Sequence, residues 1–207
     1  MLKQLREKLT CRDLGVEELD AFPNQAAVLI ALTAKASDPE ILLTKRAEHL
    51  STHSGEVSLP GGKWEYGDKS LLQTALRETE EEIGIQPSSV EVLAALQPRR
   101  TRYDIKVTPF VGIVPEDVVL TPNPGELDVV FRVPVSFFLA DQRIRTDLYR
   151  RPELEFWAPA YDFEGFEIWG LTAGILVSFF NQVFEAGIGM ESSAPVRVLG
   201  EYSDTHD

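Results

Sequence analysis

The fold and the chemistry both turn on LPGGKWEYGDKSLLQTALRETEEEIGI, residues 59–85. A Pro-Gly-Gly turn precedes a segment in which Leu71, Leu72, Ala75, Leu76 and Ile83 recur among polar positions at helical spacing, and Gly84 supplies a stop. The stretch reads as loop, helix, stop. Into that helix the sequence places Arg77, Glu78, Glu80, Glu81 and Glu82. Like charges at helical spacing repel, so the helix needs either full solvation or a cation. Successive helical residues advance by roughly 100°, so Glu78, Glu81 and Glu82 project from one face. An all-oxygen anionic cluster suits a hard ion such as Mg²⁺, which binds one or two carboxylates together with waters and substrate phosphate, and Mn²⁺ is its natural substitute. Arg77 precedes Glu81 by one helical turn and is placed to pair with it. Gly61 and Gly62 lack a Cβ, which lets their backbone approach a metal or a phosphate closely. The competing reading is a solvated acidic face, and an isolated glutamate run would favour it.

Outward from this helix, AAVLIAL at 26–32 and EILLTKR at 40–46 read as neighbouring strands joined through a turn at Pro39. VEVLAALQP at 90–98 and KVTPFVGIVP at 106–115 read as further strands closed by proline. LDVVFRVPVSFFL at 127–139 suggests a strand followed by a short helix, EFWAPAYDFEGFEIWG at 155–170 a hairpin around Glu164-Gly165, and LTAGILVSFFNQVFEAG at 171–187 a packed helix. Strands and helices mix without regular βαβ alternation, which favours an α+β or mixed sandwich over a doubly wound sheet. The expected organisation is an N-terminal helical extension over 1–25, one domain over 26–189 and a loosely held tail over 190–207.

The 207 residues are 43% apolar, enough for an ordinary core, and carry 20 lysines and arginines against 33 acidic residues, a formal charge of −13. That balance argues against nucleic acid as a partner while leaving room for a small anionic ligand at a metal or a local arginine. Cys11 is the single cysteine, so the chain can form no internal disulfide and no cysteine-rich zinc site. A reducing, cytoplasmic setting is expected. The opening MLKQLREKLTCRDLGVEELDAF has neither the apolar core of a secretion signal nor the acid-poor composition of a transit peptide. No run reaches the length of a bilayer span; the nearest, 171–180, is interrupted by Gly174 and followed by Asn181.

GGKWEYGDKSLLQTALRETEEEIGI resembles the signature of the Nudix hydrolases: Gly, five residues, Glu, seven residues, then Arg-Glu-aliphatic-x-Glu-Glu-x-Gly-aliphatic. Arg77, Glu78, Glu81, Glu82, Gly84 and Ile85 match its second half. In the first half the interval from Gly62 to Arg77 is one residue longer, Asp68 stands near the expected glutamate, and Thr79 replaces the aliphatic residue. The extra residue falls in the loop and leaves the helix intact. The resemblance implies an α/β/α sandwich around a mixed β-sheet and hydrolysis of a diphosphate linked to another moiety. It implies Glu78, Glu81 and Glu82 as ligands of Mg²⁺ or Mn²⁺, with the Gly62 carbonyl beside them and Arg77 in support. Glu126, in NPGELDVVF, is the acidic group that a later loop would bring toward metal or water; its competing role is a hydrogen bond to a loop or helix end.

LLTKRAEHLSTHSGEVSLPGG, residues 42–62, resembles the motif preceding this signature in the coenzyme A diphosphatase branch of the family, through Leu42, Leu43, Thr44, Arg46, Ala47, Gly55, Pro60, Gly61 and Gly62. The longer loop is a property of that branch too, and IWGLTAGIL at 168–176 resembles its C-terminal part. Ser51 stands where the branch has arginine and Leu59 where it has phenylalanine. A hydroxyl does not replace a guanidinium charge toward phosphate, so affinity or substrate identity is expected to be affected. The resemblance implies coenzyme A or a derivative as substrate, giving 3′,5′-ADP and 4′-phosphopantetheine. The alternatives are ADP-ribose, NADH or nucleotide sugars, or a non-catalytic nucleotide-binding module. Arg46 and Gly61 are the expected contacts to the diphosphate. Arg99, Arg100 and Arg102 form the densest positive cluster and are expected to receive the 3′-phosphate unless they are merely a solvated loop, and Tyr103 would stack on adenine or cap a strand. Phe166 and Trp169 read as core. His49 and His53 lie in a loop-like stretch unsuited to zinc, and Ser54 and Ser58 show no nucleophilic triad. No membrane partner is expected, and a homodimer is left open.

Overall fold

The computed structural model of the protein describes residues 1–9, 24–49, 54–101, 103–151 and 154–199. In chain order the elements are α1 (Leu2–Leu9), β1 (Gln25–Thr33), β2 (Glu40–Arg46), β3 (Val57–Ser58), β4 (Gly61–Lys63), α2 (Leu71–Ile83), β5 (Glu91–Ala95), β6 (Arg99–Arg100) and β7 (Lys106–Val114). Then follow β8 (Leu127–Pro134), α3 (Val135–Leu139), β9 (Arg145–Arg151), β10 (Leu154–Phe163), β11 (Phe166–Ile168), α4 (Gly170–Phe184) and β12 (Val196–Leu199).

β1 reads QAAVLIALT and is buried along almost its whole length, as a strand covered on both faces must be. It runs parallel to β7, from Gln25 opposite Lys106 to Thr33 opposite Val114, and antiparallel to β2 and β4. The main sheet has the order β3-β2-β1-β7-β5, with β4 also on β1, β6 on β7 and β8 on β2. Ala27, Leu29 and Ala31 pack with Leu71, Ala75 and Ile83 of α2. Alternate residues Ala26, Ile30 and Leu32 join the cluster holding Leu5 and Leu9 of α1 and Ala173, Leu176 and Phe180 of α4. Helices thus cover both faces of a mixed sheet, which is the expected sandwich. α1 is not an appendage, because its apolar side is part of this core.

A second sheet, β11-β10-β9-β12, was not expected as a separate layer. Its β10–β11 hairpin turns at the expected Glu164-Gly165. β9 and β12 were missed, and β12 corrects the loose tail expected from Met190: it pairs in parallel with β9. The cause is a buried charge. Asp147 is wholly inaccessible and meets Arg145 Nε at 2.9 Å and Arg197 Nε and Nη2 at 2.7 and 2.8 Å, so Arg197 ties β12 to β9. Cys11 and residues 200–207 lie outside the described residues. Among the described residues no helix is long and apolar enough to cross a membrane.

The Pro-Gly-Gly turn is also corrected. Gly61 and Gly62 are rungs of β4, opposite Val28 and Ala27 of β1. A Cβ on Gly61 would stand 2.3 Å from the Ala27 carbonyl oxygen and 2.6 Å from Val28 Cα, and φ there is +147°. Only glycine brings the backbone this close in that conformation.

Candidate active site

α2 starts at Ser70, whose hydroxyl accepts from Gln73 N at 3.1 Å, and ends at Gly84, whose N–H donates to the Glu80 carbonyl at 2.9 Å. Its acidic side faces β4. The Gly61 N–H donates to Glu82 Oε2 at 3.1 Å. A Cβ on Gly62 would lie 2.4 Å from the carboxyl carbon of Glu78, so that carboxylate fills the space which the glycine leaves.

Arg77 organises the centre. Its Nε and Nη2 meet the two oxygens of Asp68, each at 3.0 Å, and Nη2 also donates to the Lys63 carbonyl at 3.2 Å. Its Nη1 lies 3.0 Å from both Glu78 Oε1 and Glu81 Oε2. Asp68 further accepts from Thr74 Oγ1 at 2.8 Å and from Glu65 N at 3.2 Å, and its side chain is only 4% exposed. Burial pushes the Asp68 pKa up, but the hydrogen bonds from Arg77, Thr74 and the Glu65 amide outweigh it and hold the carboxyl below its usual range. The Asp68 hydrogen bond raises the pKa of Arg77 in turn. The acid near the expected motif glutamate therefore aims the arginine.

Glu82 is 2% exposed, and burial pushes its pKa up to about 7. The Gly61 amide and Arg46 oppose that rise, whereas Glu78 and Glu126 add to it. Glu78 is raised as well, first by burial and then by Glu81 and Glu65, against the pull of Arg77. Glu126 arrives on the loop between β7 and β8, which hydrogen-bonds across the end of α2. Thr121 N donates to the Ile83 carbonyl and Asn123 N to the Glu82 carbonyl, both at 2.9 Å. Asn123 Nδ2 holds Glu126 Oε1 at 3.2 Å. The Glu126 carbonyl accepts from Ala47 N at 2.9 Å, which joins this loop to the end of β2. There Arg46 Nη1 stands 3.9 Å from Glu82 Oε1, and its buried Nε has no hydrogen-bond partner among the described residues.

The structure thus gathers Arg46, Gly61, Gly62, Arg77, Glu78, Glu81, Glu82 and Glu126, and it places Arg99 and Arg100 farther along the sheet, on β6. The register runs Lys63–Ala26–Val107–Arg99 across β4, β1, β7 and β6. With strands about 4.8 Å apart, the backbone of Arg99 lies on the order of 14 Å from that of Lys63. Arg99 shares the face of Val107 toward α4 and donates to Ser178 Oγ. Arg100 pairs with Asp104, and Tyr103 is 61% exposed on the same hairpin. Arg102, Ser51 and His53 lie outside the described residues. His49 is exposed on a turn, Ser54 donates to the Glu48 carbonyl at 2.7 Å, and Ser58 Oγ lies 3.0 Å from Thr44 Oγ1. Phe166 is partly buried and stacks on Phe131 with centroids 4.2 Å apart, against the core. Asn123 and Thr74 were missed by sequence reasoning. Asn-Pro-Gly before Glu126 was the available signal, since Asn123 Oδ1 accepts from Gly125 N at 3.0 Å in an Asx turn.

Among the described residues no three acidic, histidine or cysteine side chains form a ready metal cage. Glu78 and Glu81 turn to Arg77, and Glu82 turns to the Gly61 amide. The donor set nevertheless fits a hard divalent ion. It is all oxygen, and burial, followed by the neighbouring carboxylates, raises the pKa values of Glu78 and Glu82, a cost to their ionised forms that a divalent cation would offset.

A family model described as the NUDIX domain matches residues 23–152, more than half of the chain. Nudix hydrolase 15, mitochondrial, of Arabidopsis thaliana is 42% identical over 170 residues, which cover 79% of this chain and 60% of that protein. The chain thus spans about three fifths of this plant relative. An uncharacterized Nudix hydrolase, NudL, of Escherichia fergusonii is 42% identical over 161 residues, 77% of this chain and 82% of that one. Among solved structures, a MutT/nudix family protein from Enterococcus faecalis is 20% identical, with a TM-score of 0.50 over 82% of this chain and 66% of that one, a likeness of fold alone.

Proposed function

Because the chain belongs to the Nudix hydrolase family, we propose that it is a divalent-metal-dependent diphosphatase whose substrate is coenzyme A or a derivative of it. The observation that carries the reading is the pair Glu78 and Glu82, withdrawn from water against the bare backbone of Gly61 and Gly62. Glu78, Glu81, Glu82 and the Gly62 carbonyl would hold Mg²⁺ or Mn²⁺. Bound there, such an ion would offset charge on the diphosphate oxygens and lower the pKa of the attacking water, so that its nucleophilic form is available.

The remaining work falls to the chain itself. Arg77, fixed by Asp68, orients Glu78 and Glu81. Arg46 brings an always-charged guanidinium beside Glu82, with Nε unspent, to bind and orient a phosphate. Glu126, held by Asn123, accepts the proton of the attacking water. The new bond joins the water oxygen to phosphorus, the bridging P–O bond breaks, and coenzyme A yields 3′,5′-ADP and 4′-phosphopantetheine. The coenzyme A assignment is supported by the resemblance of residues 42–62 and 168–176 to that branch. Arg100 and Tyr103, at the same end of the sheet as Lys63, are proposed contacts for the far end of the nucleotide. A cytoplasmic setting belongs to the same proposal, on the strength of the single cysteine.

Ser51 in place of the branch arginine favours a second reading, a diphosphate without the 3′-phosphate such as ADP-ribose. The test is a panel of coenzyme A, ADP-ribose, NADH and nucleotide sugars with Mg²⁺ or Mn²⁺, with products separated chromatographically. Coenzyme A is expected to turn over fastest. Faster cleavage of ADP-ribose overturns the substrate assignment and keeps the chemistry; nucleotide binding with no cleavage of any compound overturns the hydrolase reading.

A further inference from the structure

A groove of about 240 Å³ opens between the β6–β7 hairpin and α4. It is smaller than the roughly 300–1,000 Å³ of sites for drug-sized ligands, so its occupant is small. Leu96, Pro109 and Ile175 form its apolar part, and Gln97, Arg99, Ser178 and Gln182 its polar part. The register places it level with the active site yet on the opposite face of the sheet. Pro109 pairs with Val28, which pairs with Gly61, while Leu96 and Ile175 belong to the cluster of α1 and α4 rather than to that of α2.

Arg99 is electrostatically distinctive. Arg6, Arg77, Arg143, Arg145 and Arg197 each meet a carboxylate. Arg99 instead donates to the neutral hydroxyl of Ser178. In a chain of formal charge −13, a permanently charged guanidinium with a neutral partner, at the mouth of a concave site, favours an anion. Ser178 supplies a hydroxyl and Gln97 an amide, groups suited to donate to oxyanion lone pairs.

We propose that this groove is a second anion site, which takes a phosphate monoester carried on a compact apolar body. Guanidinium and hydroxyl hold the phosphate and the Leu96, Pro109 and Ile175 surface takes the body. Such a ligand has two sources, a free small phosphomonoester or the phosphomonoester end of a larger nucleotide. The proposal does not rest on the diphosphatase reading, and its test uses no turnover.

The test is amide-resolved NMR titration of the full chain in chelator, with inorganic phosphate, n-propyl phosphate and 3′,5′-ADP as probes. Propyl phosphate is expected to shift amides near Leu96–Arg99 and Ile175–Gln182, several-fold more tightly than inorganic phosphate. Arg99→Ala is expected to weaken it at least tenfold, Arg99→Lys less, and Ser178→Leu to block it, with Glu82→Gln binding as wild type does. Arg99 and Ser178 are outside the buried core, so these variants retain the fold. If 3′,5′-ADP binds there with equal Arg99 dependence, the nucleotide end is the source; if only propyl phosphate does, a free phosphomonoester is. Shifts confined to α2 and Gly61–Gly62, or binding indifferent to Arg99→Ala, overturn the proposal while leaving the hydrolase reading intact.

Discussion

Glu82 sets the behaviour of the site at the scale of one residue. Folding raises its pKa from 4.5 to about 7. Between those values the folded chain holds a proton that the unfolded chain has released. Its contribution is therefore fully present below about pH 4.5 and is lost as pH rises through 7, by at most about 3 kcal/mol. Urea denaturation in chelator should give a more stable protein at pH 5.5 than at pH 8, and Glu82→Gln should flatten that difference. The same variant is expected to lower turnover by orders of magnitude; wild-type rates would remove Glu82 from the chemistry. Asp68 presents the opposite case, a buried carboxylate that is fully compensated. Asp68→Ala leaves Arg77 without its bidentate partner and should cost roughly 2–3 kcal/mol, read by denaturant midpoint, together with a fall in turnover.

At the scale of the element, β4 allows two neighbouring glycines to be told apart. The Cβ of Gly61→Ala would collide with the backbone of β1 at a positive φ, so this variant should lose about 3 kcal/mol or more. The nearest atoms to the Cβ of Gly62→Ala would be the movable end of the Glu78 side chain, so its stability should stay within about 1 kcal/mol of wild type while turnover drops at least tenfold. Thermal melts and initial rates on the same samples check both. β4 also shows where the sequence was misleading, because two glycines after a proline carry the signal of a turn and nothing local reveals that β1 lies against them. α2 was legible because its period, its stop and its acidic face are local properties. β9 and β12 were not, because Arg145, Asp147 and Arg197 read singly as solvated charges and become interior only through one another. The cluster Arg99–Arg102 shows the same limit at the site. Charge density along a chain does not tell which face of a sheet a guanidinium takes, and Arg99 turned to α4.

At the scale of the whole molecule, the second sheet is closed by its C-terminal strand. Truncation before Val196 removes Arg197 and leaves Asp147 with Arg145 alone, at an expected cost of about 1–3 kcal/mol. Turnover per folded molecule should be unchanged, since β12 lies in the other sheet, and calorimetry alongside rates on the diphosphate that the substrate panel selects measures both. The main sheet has the closer hold on the chemistry. Leu29 N donates to the Pro60 carbonyl at 2.8 Å, and the next residue along, Gly61, offers its amide to Glu82. The aim of a reactive group is thereby written into a ladder of main-chain bonds on the buried central strand. Mild heating or low denaturant that loosens this ladder is expected to abolish the proposed turnover before circular dichroism registers any change, which makes lost turnover the more sensitive thermometer of the sheet.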